Sequence, residues 1–427
     1  MSSESAFVWI WLPNATEPVV AGVLKRHGDK AHFAYGTRYL QRPDAIALFS
    51  PELPLRRGEF IPDGPIASCV RDASPDAWGR RVIIHHLLGT HRHAADPVEL
   101  DEITYLLESG SDRIGALDFQ PSATHYSPRN KTSASLEALS EAAALISAGQ
   151  SLPPGLELAL RHGTSIGGAR PKVLIDATER KFIAKFSVST DLYNVVKAEF
   201  VAMRLAALAG IDAAAVQLTQ AAGRDVLLVE RFDRLRQAGQ WRRRSMVSAL
   251  TLLGLDEMLA RYASYELLAD QIRHRFTVPR STLHELYRRM LFNVIVGNTD
   301  DHARNHAAFW DGQWLSLTPA YDICPQMRTG REASQAMRLH GQQNLSQLAV
   351  CFAASSSFML SRDEAILVAE QLLDTLIRQW PAVCDEAQLT PFERDFLWKR
   401  QFLNESIFDG LNESTRCRLP TGTASTG

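Results

Sequence analysis

The run from Gly297 to Cys324, G-N-T-D-D-H-A-R-N-H-A-A-F-W-D-G-Q-W-L-S-L-T-P-A-Y-D-I-C, restricts this chain more than any other stretch. Asp300 precedes Asn305 by five positions, the interval at which a proton-accepting carboxylate precedes a metal-binding amide in phosphoryl-transfer loops. That spacing prefers Asp300 over Asp301. Two short runs rich in apolar and aromatic residues follow, 306–310 and 313–318, and between them stands Asp311-Gly312, a pair favoured in two-residue type I′ hairpin turns. A hairpin here returns Asp322 to the neighbourhood of Asn305. A carboxylate to orient a hydroxyl, an amide oxygen a short loop away and a second carboxylate brought back by a hairpin together suit phosphoryl transfer on a hard divalent cation. Plainer readings compete. Asn-Thr-Asp-Asp is a good turn whose side chains can bond their own backbone, and His302 with His306 has the spacing of a His-Glu-x-x-His metal site but lacks its glutamate.

Composition excludes several classes. A chain of 427 residues can hold two or three domains, and 45% apolar with 22% charged residues is the balance of a folded globular protein. The formal charge of −2 gives no global basic footprint, so contact with nucleic acid is expected locally or through a partner. No apolar run reaches the length of a membrane span, and the first residues lack a signal peptide's basic and apolar regions. Cys69, Cys324, Cys351, Cys384 and Cys417 are odd in number and scattered, which fits reduced thiols and a cytoplasmic location.

Along the chain, Phe7 to Leu12, Val19 to Leu24 and His32 to Tyr35 alternate with turn residues and predict a small β-rich module, assigned to residues 1–120. Trp78 to Leu88 and Pro97 to Leu107 read as helices within it. His85-His86 and His91-Arg92-His93 invite a metal, but neighbouring side chains on a helix point apart. A polar stretch and an alanine-rich helix, Ser135 to Ala148, open a second region, 121–236. It continues with Gly163-Thr-Ser-Ile-Gly-Gly-Ala-Arg-Pro-Lys172, whose glycines and hydroxyls could bring backbone N–H groups close to an anion. Strands follow at Val173 to Ile175 and Lys181 to Phe186. Alternation in the second is read as setting Lys185 on the face opposite Ile183, where a lysine needs an anionic partner. Helix Asn194 to Ala209 carries Glu199, a candidate for that pairing, and Val226 to Phe232 is an apolar strand. A helical region, 237–411, includes a helix from Thr282 with a Thr282-x-x-Glu285 capping box, and helices Ser361 to Trp380 and Pro391 to Phe408. From Asn412 a tail rich in Thr, Ser and Gly is expected to be disordered.

These features stand in the order of a protein kinase: Gly-rich loop, strand lysine, helix glutamate, linking strand, Asp with Asn five on, metal Asp. Moreover, G-T-S-I-G-G-A-R-P-K, V-E-R-F-D-R, G-N-T-D-D-H-A-R-N and L-T-P-A-Y-D-I together resemble the HipA-type serine/threonine kinases of bacterial toxin–antitoxin modules. The resemblance covers nearly the whole chain. It implies an α+β, protein-kinase-like two-lobed fold with an extra N-terminal β-rich subdomain and a mostly helical C-lobe, ATP and Mg²⁺ as cofactors, and a small helix-turn-helix antitoxin of the HipB type, which brings DNA. Position by position, Asp300 matches the catalytic base, His302 the catalytic-loop histidine, Asn305 and Asp322 the metal ligands and Lys185 the phosphate-binding lysine. Ser165 matches a loop serine that such kinases autophosphorylate, and Ile166, Gly167 and Gly168 continue that loop. Glu230 and Phe232 would meet adenine through main chain. Arg170-Pro171 departs from the best-known member, which has Gln-Glu there. Three functions are consistent with the chain: a protein kinase whose targets include an aminoacyl-tRNA synthetase, a small-molecule kinase of the aminoglycoside phosphotransferase kind, and a non-catalytic co-repressor acting with a DNA-binding partner.

Overall fold

Alternating burial along the first strands builds an antiparallel sheet. In this computed structural model, which describes residues 3–88, 100–129, 135–147, 150, 170–188, 191–328 and 330–422, β1 (Ser5–Ile10), β2 (Val19–His27), β3 (Lys30–Tyr35), β4 (Glu59–Phe60) and β5 (Leu117–Gln120) lie in the order β4-β3-β2-β1-β5. Val8, Ile10, Ala21, Leu24 and Phe33 are buried. Gly22 is required where β2 meets β3, because a Cβ there would stand 2.2 Å from the Ala34 carbonyl oxygen.

A second sheet in the order β6-β7-β9-β8 contains β6 (Lys172–Asp176), β7 (Lys181–Phe186), β8 (Val216–Ala221) and β9 (Arg224–Glu230). Val173, Ala184, Phe186 and Val226 give it an apolar face, covered by Trp78 and Val82 of helix Ala77–Leu88 and by Leu139, Ala143 and Ile146 of helix Leu136–Ser147. Each fully buried Val, Ile or Phe in such a layer stabilises by about 1.5–3 kcal/mol. The chain divides into two compact units: Met1–Thr190, Thr219–Val247 and Phe309–Gln313 form the first, and Asp191–Leu218, Ser248–Ala308 and Trp314–Gly427 the second.

Helices dominate the second unit. The helix Pro279–Ile295 begins three residues earlier than the capping box implies, with Pro279 in its first turn and Val278 as N-cap. Pro is pre-set for that position, so Thr282 and Glu285 serve elsewhere: Thr282 Oγ1 donates to the Val278 carbonyl at 2.8 Å and Glu285 accepts from Arg289 at 2.8 Å. Helix Arg362–Glu386 carries a true capping box at Ser361 and Glu364 and runs past the predicted end, through Pro381. The helix predicted over 391–408 stops at Leu397, after which Lys399 and Leu403 take positive φ. The tail is not disordered from 412: Asn412 caps a short helix, Glu413–Arg418, and Leu419 is buried. Among the described residues, no helix is long and apolar enough to cross a membrane.

Candidate active site

Everything in the Asp300 loop is set by how helix Pro279–Ile295 ends. Gly297 follows it at φ +70°, and a Cβ there would lie 2.5 Å from the Gln401 carbonyl oxygen, so the position needs glycine twice over. Its own carbonyl accepts from Gln326 N at 2.9 Å. Beneath the loop runs a buried polar chain. Asn298 Nδ2 donates to Asn293 Oδ1 at 2.9 Å, Asn293 Nδ2 to Tyr265 Oη at 3.3 Å, and the Tyr265 hydroxyl to Asp301 Oδ2. Burial and the Asp301 charge push the Tyr265 phenol well up, so it keeps its proton and donates. His306 Nε2 lies 3.0 Å from Asp301 Oδ1, with its ring edge-on to Tyr265. Asp301 is therefore a buried anchor.

Asp300 faces the other way and is exposed. Its main chain is fixed: His302 N donates to the Asp300 carbonyl at 2.9 Å, Asn305 N to the His302 carbonyl at 2.8 Å, and Asn305 Nδ2 to the Asp300 carbonyl at 3.2 Å. With its nitrogen so engaged, the Asn305 amide presents Oδ1 as its acceptor. Tyr321 Oη donates to the Arg304 carbonyl at 2.7 Å, tying the segment that carries Asp322 to the loop that carries Asn305. Asp322 adopts φ +60°, a left-handed conformation that Asp tolerates better than most residues. Partial loss of solvent holds the Asp300 carboxyl above the ordinary carboxylate range. His302 opposes that shift, while the Asp322 and Asp301 charges add to it. Carboxylates that repel one another beside an amide oxygen offer the oxygen-only donors that Mg²⁺ takes, so Asn305 and Asp322 fit that ion.

The hairpin forms with a different turn. β10 (Ala307–Trp310) and β11 (Leu315–Leu317) are neighbours, and Thr318 N and Oγ1 both donate to the Ala307 carbonyl, at 3.0 and 3.1 Å. Residues 311–314 connect them. Only Gly312 has positive φ, and Asp311 Oδ1 instead accepts from Gln313 N at 2.8 Å, so this is not a two-residue type I′ turn.

In the first unit, Lys185 is buried in β7, opposite Leu227 of β9 and Lys172 of β6. A strand's period of two corrects the sequence reading: Lys185 shares the face of Ile183, and Ala184 and Phe186 take the other. Lys172 was missed: it closes the run 163–172, and only the register of β6 on β7 sets it opposite Lys185. Both lysines are buried, and like charges directly opposite each other on adjacent strands are unfavourable. Glu199 is buried in helix Val195–Leu208 of the second unit. Glu230 ends β9 with its carboxylate accepting from Arg180 at 3.2 Å, and the Phe232 ring stands edge-on to Phe309. Ser165, Ile166, Gly167 and Gly168 lie outside the described residues, as do His91 and His93. His302 and His306 form no metal group; among the described residues that geometry occurs at His27, His32 and Glu59.

Comparison with known proteins bears on this arrangement. Residues 164–380 match a family profile described as the HipA-like C-terminal domain, and residues 14–120 match the HipA N-terminal domain. The chain is 28% identical over 323 residues to a putative kinase, Y4mE, of Sinorhizobium fredii, covering 70% of this chain and 72% of that protein. It is 26% identical over 183 residues to the serine/threonine-protein kinase toxin HipA of Shewanella oneidensis, covering 37% of this chain and 42% of the relative. Its fold is similar to the structure of a Shewanella oneidensis HipA–HipB–operator DNA complex, with a TM-score of 0.67 at 20% identity over 91% of this chain and 97% of that one.

Proposed function

The chain belongs to the HipA family, and from that premise we propose that it is the serine/threonine kinase toxin of a toxin–antitoxin pair, using ATP and Mg²⁺ to phosphorylate a protein hydroxyl. The observation that carries this reading is the division between two adjacent carboxylates: Asp301 is buried under the loop, whereas Asp300 is exposed beside Asp322 and Asn305. Asp300 orients the attacking hydroxyl and takes its proton as the oxygen bonds to the γ-phosphorus and ADP departs. A carboxyl with a raised pKa is a better acceptor for that proton than an ordinary one. His302 sits beside it and tempers the shift. Asn305 and Asp322 hold Mg²⁺, which neutralises charge on the phosphates. Lys185 binds those phosphates with Lys172 opposite it on the next strand, and the main chain at Glu230 and Phe232 meets adenine.

Regulation follows from the Gly-rich loop. Phosphate on Ser165 adds close to two negative charges among N–H groups suited to ATP phosphates, so modified loop and nucleotide exclude each other. Mass spectrometry after incubation with ATP is expected to find phosphate on Ser165 in the wild type and none in Asp300→Asn; an unmodified loop in an active enzyme ends this part of the reading. The partner is a small helix-turn-helix antitoxin of the HipB type, as in the similar complex with operator DNA. The chain's own charge of −2 suits DNA contact made mainly through that partner in the cytoplasm.

The test is to incubate the purified full chain with labelled ATP, Mg²⁺ and cell lysate and identify every labelled protein, an aminoacyl-tRNA synthetase first. Label that appears with wild type and vanishes with Asp300→Asn supports the reading. Label confined to small molecules moves the chain to the aminoglycoside phosphotransferase kind, and no transfer to anything leaves a co-repressor.

A further inference from the structure

The run Arg231-Phe-Asp233-Arg234 and the segment 111–129 build a charged cluster in the first unit that phosphoryl transfer leaves unused. Asp112 accepts from Arg231 Nη1 at 2.9 Å, Arg234 Nη2 at 2.9 Å and Lys181 Nζ at 3.2 Å. Asp233 accepts from the same two guanidiniums, each at 2.8 Å, and from Gly115 N at 2.8 Å. Asp118 is shared by Arg113 at 3.0 Å and Arg129 at 3.1 Å. Cations outnumber anions throughout.

Beside the cluster opens a cleft of about 300 Å³, walled by Trp11, Trp241, Arg129, Lys181, Arg234 and Arg243. Its lining carries four cations, Arg129, Lys181, Arg234 and Arg243, against two carboxylates, Asp112 and Asp176. Arg231 with Asp233, and Arg113 with Asp118, cancel behind it, so among the described residues an excess of two positive charges stays. Arg243 shows where the excess sits. It donates one hydrogen bond, from Nη1 to the Ser111 carbonyl at 2.9 Å, and stacks 3.5 Å over the Trp11 ring. Among the described residues it forms no ion pair, although a guanidinium has five N–H donors.

Positive charge gathered in a concave, partly desolvated cleft costs free energy unless an anion balances it. Forked guanidiniums match the oxygens of phosphate, and a phosphomonoester carries about −1.5 to −2 charges at neutral pH. That equals the excess, whereas a carboxylate ligand would leave half of it. We propose that this cleft binds a phosphomonoester dianion. Lys181 and Lys185 are four residues apart on β7, roughly 13 Å along the strand, so the cleft is separate from the Lys185 position.

The experiment is calorimetric titration of the full-length protein, saturated with a non-hydrolysable ATP analogue and Mg²⁺, with inorganic phosphate and with uridine monophosphate. One equivalent is expected to bind, more weakly as salt rises, and Arg243→Gln is expected to weaken it at least tenfold with an unchanged melting temperature. Arg243→Lys, which keeps the charge and loses the fork, falls between and decides the matter if the Gln variant does not fold. Tighter binding of the nucleotide, abolished by Trp241→Ala, puts its base on that indole; equal affinities make the phosphate group the whole ligand, and either supports the proposal. Binding of neither probe, binding indifferent to Arg243, or binding blocked by the ATP analogue overturns it.

Discussion

Exchanging Asp300 and Asp301 for asparagine, one at a time, should separate chemistry from architecture. Asp301 is buried, accepts the Tyr265 hydroxyl and lies 3.0 Å from His306 Nε2. Asn keeps the shape but turns a charge-assisted bond into a neutral one and points an amide at a buried donor, a cost of about 1.5–3 kcal/mol. A folding unit of 150–250 residues loses about 2–4 °C of melting temperature per kcal/mol, so calorimetry of Asp301→Asn should show a drop of roughly 3–12 °C. Asp300 carries the opposite sign. Its folded pKa is raised, so its charge at neutral pH is unfavourable to the fold, and the stability it could contribute is lost as pH rises through that pKa. Asp300→Asn removes the repulsion from Asp322 and should leave the melting temperature unchanged or slightly higher, while turnover falls by about 10²–10⁴. Phosphate transfer from labelled ATP, measured below the melting range of both variants, gives the second axis. A destabilised Asp300→Asn, a fully stable Asp301→Asn, or equal losses of turnover would refute the division.

Three more outcomes are expected. Asp322→Ala should bind nucleotide with little dependence on Mg²⁺, and unchanged Mg²⁺ dependence in a titration would place Asp322 outside the metal site. Lys172→Met and Lys185→Met should each weaken nucleotide binding about tenfold to a hundredfold, with the double variant losing less than the product because the two lysines share one anion; fully additive losses would separate them. Burial works to raise the Asp112 pKa, yet Arg231, Arg234 and Lys181 hold it well below the ordinary range. Its stabilising effect is therefore complete above about pH 5 and is lost as pH falls through 4 and below, so Asp112→Asn should lower the neutral melting temperature and flatten its acid decline, and an unaltered acid limb would count against that pairing.

What could be read from the residues was what depends on local spacing. The five-position interval picked the exposed carboxylate of an adjacent pair, and the alternation of β1 to β3 gave strands close to those observed. Elsewhere distant contacts decided. Pro279 outweighed a capping box three residues on. Asp301 gained its role from Tyr265, thirty-six positions back. The break after Leu397 follows from positive φ at Lys399 and Leu403, which no helical periodicity reports. Lys172 needed a register, and a register is a property of two strands. Asp112 belongs to none of the sequence motifs, and only the fold sets three cations around it.

Gly297 touches the Gln401 backbone, and Leu403 N donates to the Ile295 carbonyl at 2.9 Å. Timing follows from that contact. Gln401 is translated about a hundred residues after Gly297, some 5–20 s later at ordinary rates of synthesis, so a nascent chain holds Asp300, Asn305 and Asp322 before the Gln401 and Leu403 contacts that fix the start of their loop. A chain ended in this interval would carry those three side chains without the backbone contacts that hold the start of their loop, so the geometry of the loop waits on residues 401–403.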